Sequence, residues 1–192
     1  SLVGTCGRTC APVREATREL LLKDVIGYDS RMPITWTSFS EYLAEFEKRG
    51  VAQNVAALFG HNAIRIAVMG YDSRKPTGNQ LGEMKQLARE CMEAGAFGLS
   101  TGLAYPPGAF ADIDEIVELS KVARDYGGIY SSHLRGTDGD FLAGVEEAIQ
   151  IGERSGVPVH MGHLCGFFGN LKETETALQM IRDARSRGMD VT

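Results

Sequence analysis

Short runs of β-forming residues alternate with amphipathic helical segments along the whole chain, and this alternation limits the fold more than any other feature. The runs cover residues 1–5, 54–59, 95–100, 127–132, 157–162 and 189–192. Such alternation predicts parallel strands joined by helices, an α/β fold. The later runs recur about every 30 residues, the length of one βαβ unit, and no linker interrupts them.

The helical segments carry apolar residues at helical spacing, and one segment is marked at both ends. Ser38 and Glu41 form a capping-box pattern, and Gly50 follows as a stop signal. Three further apolar stripes would each cover the sheet. They are Leu81, Met84, Leu87 and Cys91; Ile116, Leu119, Val122 and Tyr126; and Ala177, Met180, Ile181 and Ala184.

Both an open doubly wound sheet and a β/α barrel contain such a series. No Gly-rich dinucleotide fingerprint follows the first strand, and polar residues cluster after strand ends, which favours the barrel. A closed barrel needs eight strands, whereas six are predicted, and the chain opens and closes on strand-like runs without an initiator Met. We therefore expect residues 1–192 to be a fragment of a single catalytic barrel domain, a partial TIM (β/α)8 barrel.

Composition narrows the possible partners. The 192 residues include 43% hydrophobic and 23% charged residues, with a net charge of -5. The scattered cations form no basic stripe for nucleic acid, and the longest apolar runs are too short for a membrane span. Four unevenly spaced cysteines, with no signal peptide before them, predict a reducing cytoplasm rather than a disulfide framework.

Two histidines close successive β-rich runs, His133 after residues 127–132 and His163 after residues 157–162. Parallel β/α barrels deliver metal ligands to their C-terminal rim in this way. One such histidine is more often structural, but two at equivalent places favour metal ligation. Cys6 ends the first strand, where a thiolate would bind zinc, although by itself it also fits a small buried side chain.

Other candidates receive structural interpretations. Cys10 stands four residues after Cys6, but no second pair completes a zinc site of the Cys-x3-Cys type. Strand alternation places His160 on the face opposite His163, which predicts a structural side chain packed against a helix. His61 also ends a strand, and we expect it to order a loop or support the ligands rather than bind metal.

Ordered segments through most of the chain carry a family resemblance. They are GTCGRTCAP, SFSEYLAEFEKRGVAQNVAALFGHNAIRIAVMG, EAGAFGLSTGLAYPPGAFAD, YSSHLRG, GVPVHMGHL and RSRGMDVT. Together these segments resemble the N-acyl-D-amino-acid deacylase (D-aminoacylase) family of the amidohydrolase superfamily.

The resemblance implies a metal-dependent TIM barrel, represented here by roughly strands 2 to 7, that hydrolyses the amide of N-acyl-D-amino acids with one or two zinc ions. It assigns metal binding to Cys6, His133 and His163 and places Tyr105 near the substrate; the alternative for Tyr105 is a loop residue anchored by prolines. Arg135 has the donor geometry to pair with a substrate carboxylate, and a rim salt bridge is the alternative.

The chain also departs from the family pattern. The first-strand His-x-His pair and the aspartate after the eighth strand, the general acid and base, have no counterpart here, so no catalytic residue is assigned and the fragment should be inactive alone. Many relatives carry Lys two residues after the sixth-strand histidine, where this chain has Cys165. That difference leaves the exact substrate and its stereochemistry open.

Three other functions stay open at this stage: a dihydroorotase-like cyclic amidase, a non-catalytic binding or assembly module, and a nucleotide-binding open sheet. The last lacks a phosphate-cradling Gly-rich loop. The expected partner is a small N-acyl amino acid or related amide. We expect the chain to bind neither nucleic acid nor a membrane. Open sheet edges also predict self-association of the fragment.

Overall fold

The computed structural model describes residues 1–25, 33–136, 140–164 and 171–192 of the chain. Six strands fall within these ranges: β1 (Leu2–Val3), β2 (Ala56–Ala57), β3 (Phe59–Gly60), β4 (Gly98–Gly102), β5 (Ile129–His133) and β6 (Val159–Gly162). The α-helices there are α1 (Arg18–Asp24), α2 (Phe39–Arg49), α3 (His61–Met69), α4 (Gly78–Glu93), α5 (Ile113–Asp125), α6 (Phe141–Ser155) and α7 (Leu171–Ser186).

The strands lie side by side in chain order, and every pairing among them is parallel. β1 pairs with β2, and β3, β4, β5 and β6 follow one another. Leu58 joins β2 to β3, and its N–H donates to the carbonyl of Val3 at 2.9 Å. Val191 adds a parallel bridge to Val159. Each predicted strand-like run thus contributes to a wall without the order reversal of a doubly wound sheet, which confirms the predicted α/β class.

The predicted helices are confirmed, and their apolar faces cover one side of the wall. The exception is Tyr126, predicted to cover the sheet, which follows the end of α5 and is exposed. Leu99, Tyr130 and Val159 point to that side, where they are buried beneath the helices. The capping box of α2 forms as predicted, with Ser38 accepting from the Glu41 N–H at 3.1 Å. No helix in the described ranges is long and apolar enough to cross a membrane.

The opposite face of the wall carries small and polar side chains, and His160 lies on it. The prediction that His160 packs against a helix is wrong: His160 is exposed, and its Nδ1 is 3.1 Å from the Ser131 hydroxyl oxygen. The prediction assumes that side chains alternate between the two faces of the strand as far as His163. β6 ends at Gly162, however, and His163 has a left-handed φ of 55°, so the two-residue period of the strand does not extend to it.

A buried ionic cluster joins α3 to α5. His61 Nε2 is 2.7 Å from Glu115 Oε1, and Arg65 donates to Glu115 Oε2 at 2.6 Å. All three side chains are almost completely buried. Arg65 also donates to the carbonyls of Asp72 and Arg74. His61 therefore stabilises the connection after β3 and does not join the other strand-end histidines.

Candidate metal centre

Three strand ends bring a thiol and two imidazoles together. Cys6 follows β1, His133 is the last residue of β5, and His163 follows β6. Their potential ligand atoms all lie within 4.8 Å of one another. The Cys6 sulfur is 3.2 Å from His163 Nε2, and the two imidazole centroids are 4.7 Å apart. Residues separated by as many as 157 positions thus meet at one point on the C-terminal rim.

Two of these three residues adopt a backbone conformation that side chains disfavour. Cys6 has a φ of 59° and His163 a φ of 55°. A residue other than glycine in the left-handed region costs on the order of 1–2 kcal/mol. Such strain occurs most often at functional sites, where the surrounding structure holds it. Here His163 directly follows the last residue of β6, and Cys6 lies in the loop three residues after β1.

The donor set and its spacing fit zinc. A thiolate and two neutral imidazoles are ligands that zinc accepts in tetrahedral sites. With zinc–sulfur and zinc–nitrogen bonds of about 2.3 and 2.0 Å, the donors of one thiolate and two imidazoles on a tetrahedral ion are about 3.3–3.5 Å apart. The Cys6 sulfur and His163 Nε2 are 3.2 Å apart, and no two of the three ligand atoms are more than 4.8 Å apart. These distances lie on either side of that range, so small side-chain rotations suffice to hold one ion.

Glycine contacts fix the loop that carries Cys6. A Cβ at Gly60 would overlap the Gly7 carbonyl oxygen, and a Cβ at Gly102 would overlap the Cys6 carbonyl oxygen. Ser100 completes the packing, because its hydroxyl donates to the Gly4 carbonyl and accepts from the Gly7 N–H at 3.0 Å. The loop after β1 therefore lies directly on the backbone of β3 and β4.

We expect Gly60→Ala in the full-length protein to lower the free energy of unfolding by about 1–3 kcal/mol, the usual effect of overpacking. The added methyl group would push against backbone, which cannot move aside as a flexible side chain can. Gly82→Ala in α4, where a Cβ meets open space, is the control and should gain up to about 1 kcal/mol. Denaturant titration measures both, and equal stabilities would contradict this expectation.

Tyr105 supports two of the candidate ligands. Its hydroxyl donates to the Cys6 carbonyl at 2.5 Å, and its ring lies edge to face with His133 at a centroid distance of 5.3 Å. Burial, reinforced by the nearby Cys6, raises the pKa of Tyr105 well above its ordinary value. The phenol therefore stays protonated and remains a hydrogen-bond donor at neutral pH.

Tyr105→Phe should weaken zinc binding by about 10- to 100-fold, the usual effect of losing a group that orients a metal ligand. The ring contact with His133 would remain, so the change isolates the hydroxyl. Competition with a chelator measures the dissociation constant. Tyr126→Phe is the matched control because Tyr126 is exposed and its hydroxyl donates to Glu93. Equal affinities in the two variants would rule out this supporting role.

Arg135, predicted to face a substrate carboxylate, is engaged by the protein. Its Nε donates to Glu147 at 2.9 Å, and its terminal nitrogens donate to the carbonyls of Ala109 and Ala111 at 2.9 and 2.8 Å. A substrate carboxylate would have to displace Glu147 to be bound by both arms of the fork. Substrate binding by Arg135 stays a prediction, and its observed contacts are those of the alternative rim salt bridge.

The sequence reasoning did not single out Arg8, whose guanidinium carbon lies 3.9 Å from the Tyr105 ring centroid. Its place two residues after Cys6 was the available signal. Cys165, at the position where the chain departs from the family pattern, lies outside the described residues.

The sequence of this chain is similar to those of known deacylases along almost its whole length. The chain is 35% identical over 190 residues to a D-aminoacylase of Alcaligenes xylosoxydans xylosoxydans, covering 97% of this chain and 38% of that protein. An N-acyl-D-glutamate deacylase of the same organism is 32% identical over 191 residues, with 99% and 38% covered. This chain thus spans well under half the length of either relative. No model of a known protein family matches it.

The fold of this chain is also similar to those of solved structures. A D-aminoacylase variant in complex with copper chloride superposes with a TM-score of 0.82 at 32% identity, over 100% of this chain and 40% of that one. An N-acyl-D-glutamate deacylase from Bordetella bronchiseptica, complexed with zinc and a phosphonate that mimics the tetrahedral intermediate, gives 0.78 at 32% identity and the same coverage.

The parallel wall and the cluster at its C-terminal rim define part of a β/α barrel of the amidohydrolase class. Within that class, the chain belongs to the N-acyl-D-amino-acid deacylase (D-aminoacylase) family.

Proposed function

We propose that the protein containing these residues is a zinc-dependent amidohydrolase that removes the acyl group from N-acyl-D-amino acids. The observation that carries the proposal is the convergence of Cys6, His133 and His163 at the rim. The names of the relatives, D-aminoacylase and N-acyl-D-glutamate deacylase, support the reaction class. The zinc in one solved relative, and the binuclear metal centre in another, support one or two zinc ions.

Each residue at the site has a separate task in this proposal. Cys6, His133 and His163 would hold the metal, which would supply Lewis-acid chemistry for the scissile carbonyl and for water. Tyr105 fixes the Cys6 carbonyl and lies beside the substrate, and Arg135 orders the rim or contacts a substrate carboxylate. The aspartate that exchanges protons with water and the leaving amine has no counterpart in residues 1–192, so we expect these residues alone to be inactive.

Substrate profiling of the zinc-loaded full-length protein tests this function. N-acetyl-D-amino acids, their L-enantiomers and a cyclic amide such as dihydroorotate form the panel. Release of acetate from the D-series is the expected result. Hydrolysis of the cyclic amide alone would favour the other amidohydrolase function, and no turnover together with no bound metal would favour a non-catalytic binding or assembly module.

The proposal also includes the domain to which these residues belong and the cellular compartment of the protein. Residues 1–192 would form part of one catalytic barrel domain in a cytoplasmic protein that acts on a small amide and binds neither nucleic acid nor membrane. Cys6, Cys10 and Cys91 are free thiols, which suits a reducing compartment where a thiolate ligand persists.

A polypeptide limited to these 192 residues should self-associate. In the described part of the chain, β1 pairs with β2 on one side only, and the bridge at Val191 ends the other side of the wall. Strand edges with unpaired N–H and C=O groups recruit further strands. Light scattering should therefore show species larger than a monomer, and a monodisperse monomer would exclude this behaviour.

A further inference from the structure

Arg8 is a cationic side chain within the loop that carries Cys6. Its guanidinium carbon lies 3.9 Å from the centroid of the Tyr105 ring, and the same ring contacts His133 at 5.3 Å. One aromatic ring thus connects the guanidinium to a candidate metal ligand. Stacking on an aromatic face holds the planar group in place without using its N–H donors.

The donors of Arg8 have few partners among the described residues. Its Nε approaches Asp24 Oδ1 at 3.5 Å, a distance too long for a strong hydrogen bond. The hydrogen bonds among the described residues engage neither of its terminal nitrogens. The Asp24 carboxylate is itself shared with Asn62, at 3.4 and 3.5 Å, and with Tyr71, at 3.4 Å. The Arg8 side chain keeps 23% of its surface exposed, whereas that of Asp24 keeps 1%.

A second guanidinium among the described residues, that of Arg135, is already engaged. Arg135 donates to Glu147 and to two backbone carbonyls, as described above. In an N-acyl amino acid, a single carbon atom separates the carboxylate from the scissile nitrogen. A cation that recognises this carboxylate must therefore stand close to the metal ligands. Arg8 meets that requirement and offers two terminal nitrogens in the fork geometry that matches a carboxylate.

We propose that Arg8 binds the substrate carboxylate and is a specificity-determining residue of this site. The inference rests on the proposed deacylase function. The charge of Asp24 attracts the guanidinium, Tyr105 supports its face, and the terminal nitrogens bind the two carboxylate oxygens. Substrates whose carboxylate is replaced by a neutral carboxamide would lose this interaction and bind more weakly.

The test uses the zinc-loaded full-length protein and two ligands that it cannot hydrolyse, an N-methylsulfonyl-D-amino acid and its carboxamide. Arg8→Gln should weaken binding of the acid, measured by calorimetry, by about 10- to 150-fold, the range for a lost hydrogen bond to a charged group. The same variant should change carboxamide binding less than about threefold. Arg8→Lys keeps the charge without the fork and should restore part of the affinity.

Arg14→Gln is the matched control because Arg14 is half exposed and pairs with Glu83 on the surface. Equal losses for acid and carboxamide, or no loss for either, would overturn the role of Arg8. Zinc content is measured in each variant, and a loss of zinc in Arg8→Gln would also overturn it, because Arg8 would then act on the metal site. Turnover by the wild type tests the deacylase function separately, so the two proposals can fail independently.

Discussion

Replacing Cys6, His133 or His163 by alanine in the full-length protein should remove bound zinc, with affinity falling by more than about 100-fold in each variant. Loss of a direct ligand should exceed the 10- to 100-fold loss seen when an orienting group is removed. The three donors lie within 4.8 Å of one another, so each variant leaves an incomplete set. Metal analysis after chelator-free purification measures the effect.

Two residues serve as matched controls for the ligand variants. His160→Gln changes an exposed histidine three positions before His163, and Cys10→Ser changes a second thiol of the same loop. Both variants should retain zinc at the wild-type stoichiometry. Retention of zinc by any one alanine variant would remove that residue from the ligand set, and retention by all three would refute the site.

The second large effect concerns stability and comes from Glu115. Glu115→Gln should lower the free energy of unfolding by about 3–5 kcal/mol, because it leaves the buried Arg65 without its counter-charge. Both Arg65 and His61 contact Glu115 at 2.7 Å or less and are completely buried. Denaturant titration of the wild type and the variant provides the measurement.

Glu118→Gln is the matched control on the same helix. Glu118 pairs with Lys85 and Lys121 and keeps 31% of its side chain exposed, so its loss should cost less than about 1 kcal/mol. If the two variants were equally stable, Glu115 would not be the electrostatic centre of the α3–α5 contact.

The pH dependence of stability should follow the same cluster. Burial opposes ionisation of Glu115, but the hydrogen bond and charge of His61 and those of Arg65 outweigh it and lower its pKa. A carboxyl group with a lowered folded-state pKa stabilises the protein above its unfolded pKa, about 4.3, and this contribution is lost as pH falls through the folded value. Between neutral pH and acid, the wild type should therefore lose more stability than Glu115→Gln.

Local sequence signals predicted the secondary structure and much of the site. The capping box at Ser38 and the apolar stripes of the helices are patterns within a few residues, and the structure confirms them. The two histidines could be named because each closes a β-rich run, and the ends of parallel strands meet at one rim. Cys6 joined them as a ligand only through the family resemblance. Parallel order and strand ends are enough to bring such residues near one another.

Tertiary structure decided what those local patterns could not. Sequence alone did not identify the partner of His61, because Glu115 lies 54 residues away, and it could not show that Arg135 is engaged by Glu147. The face of His160 was predicted wrongly because the left-handed turn at His163 breaks the two-residue period of β6. The alternating β/α order and the residue types at the strand ends can be predicted from the sequence, since both depend on neighbouring residues. Only the folded chain decided which side chains meet, because those contacts join residues distant in sequence.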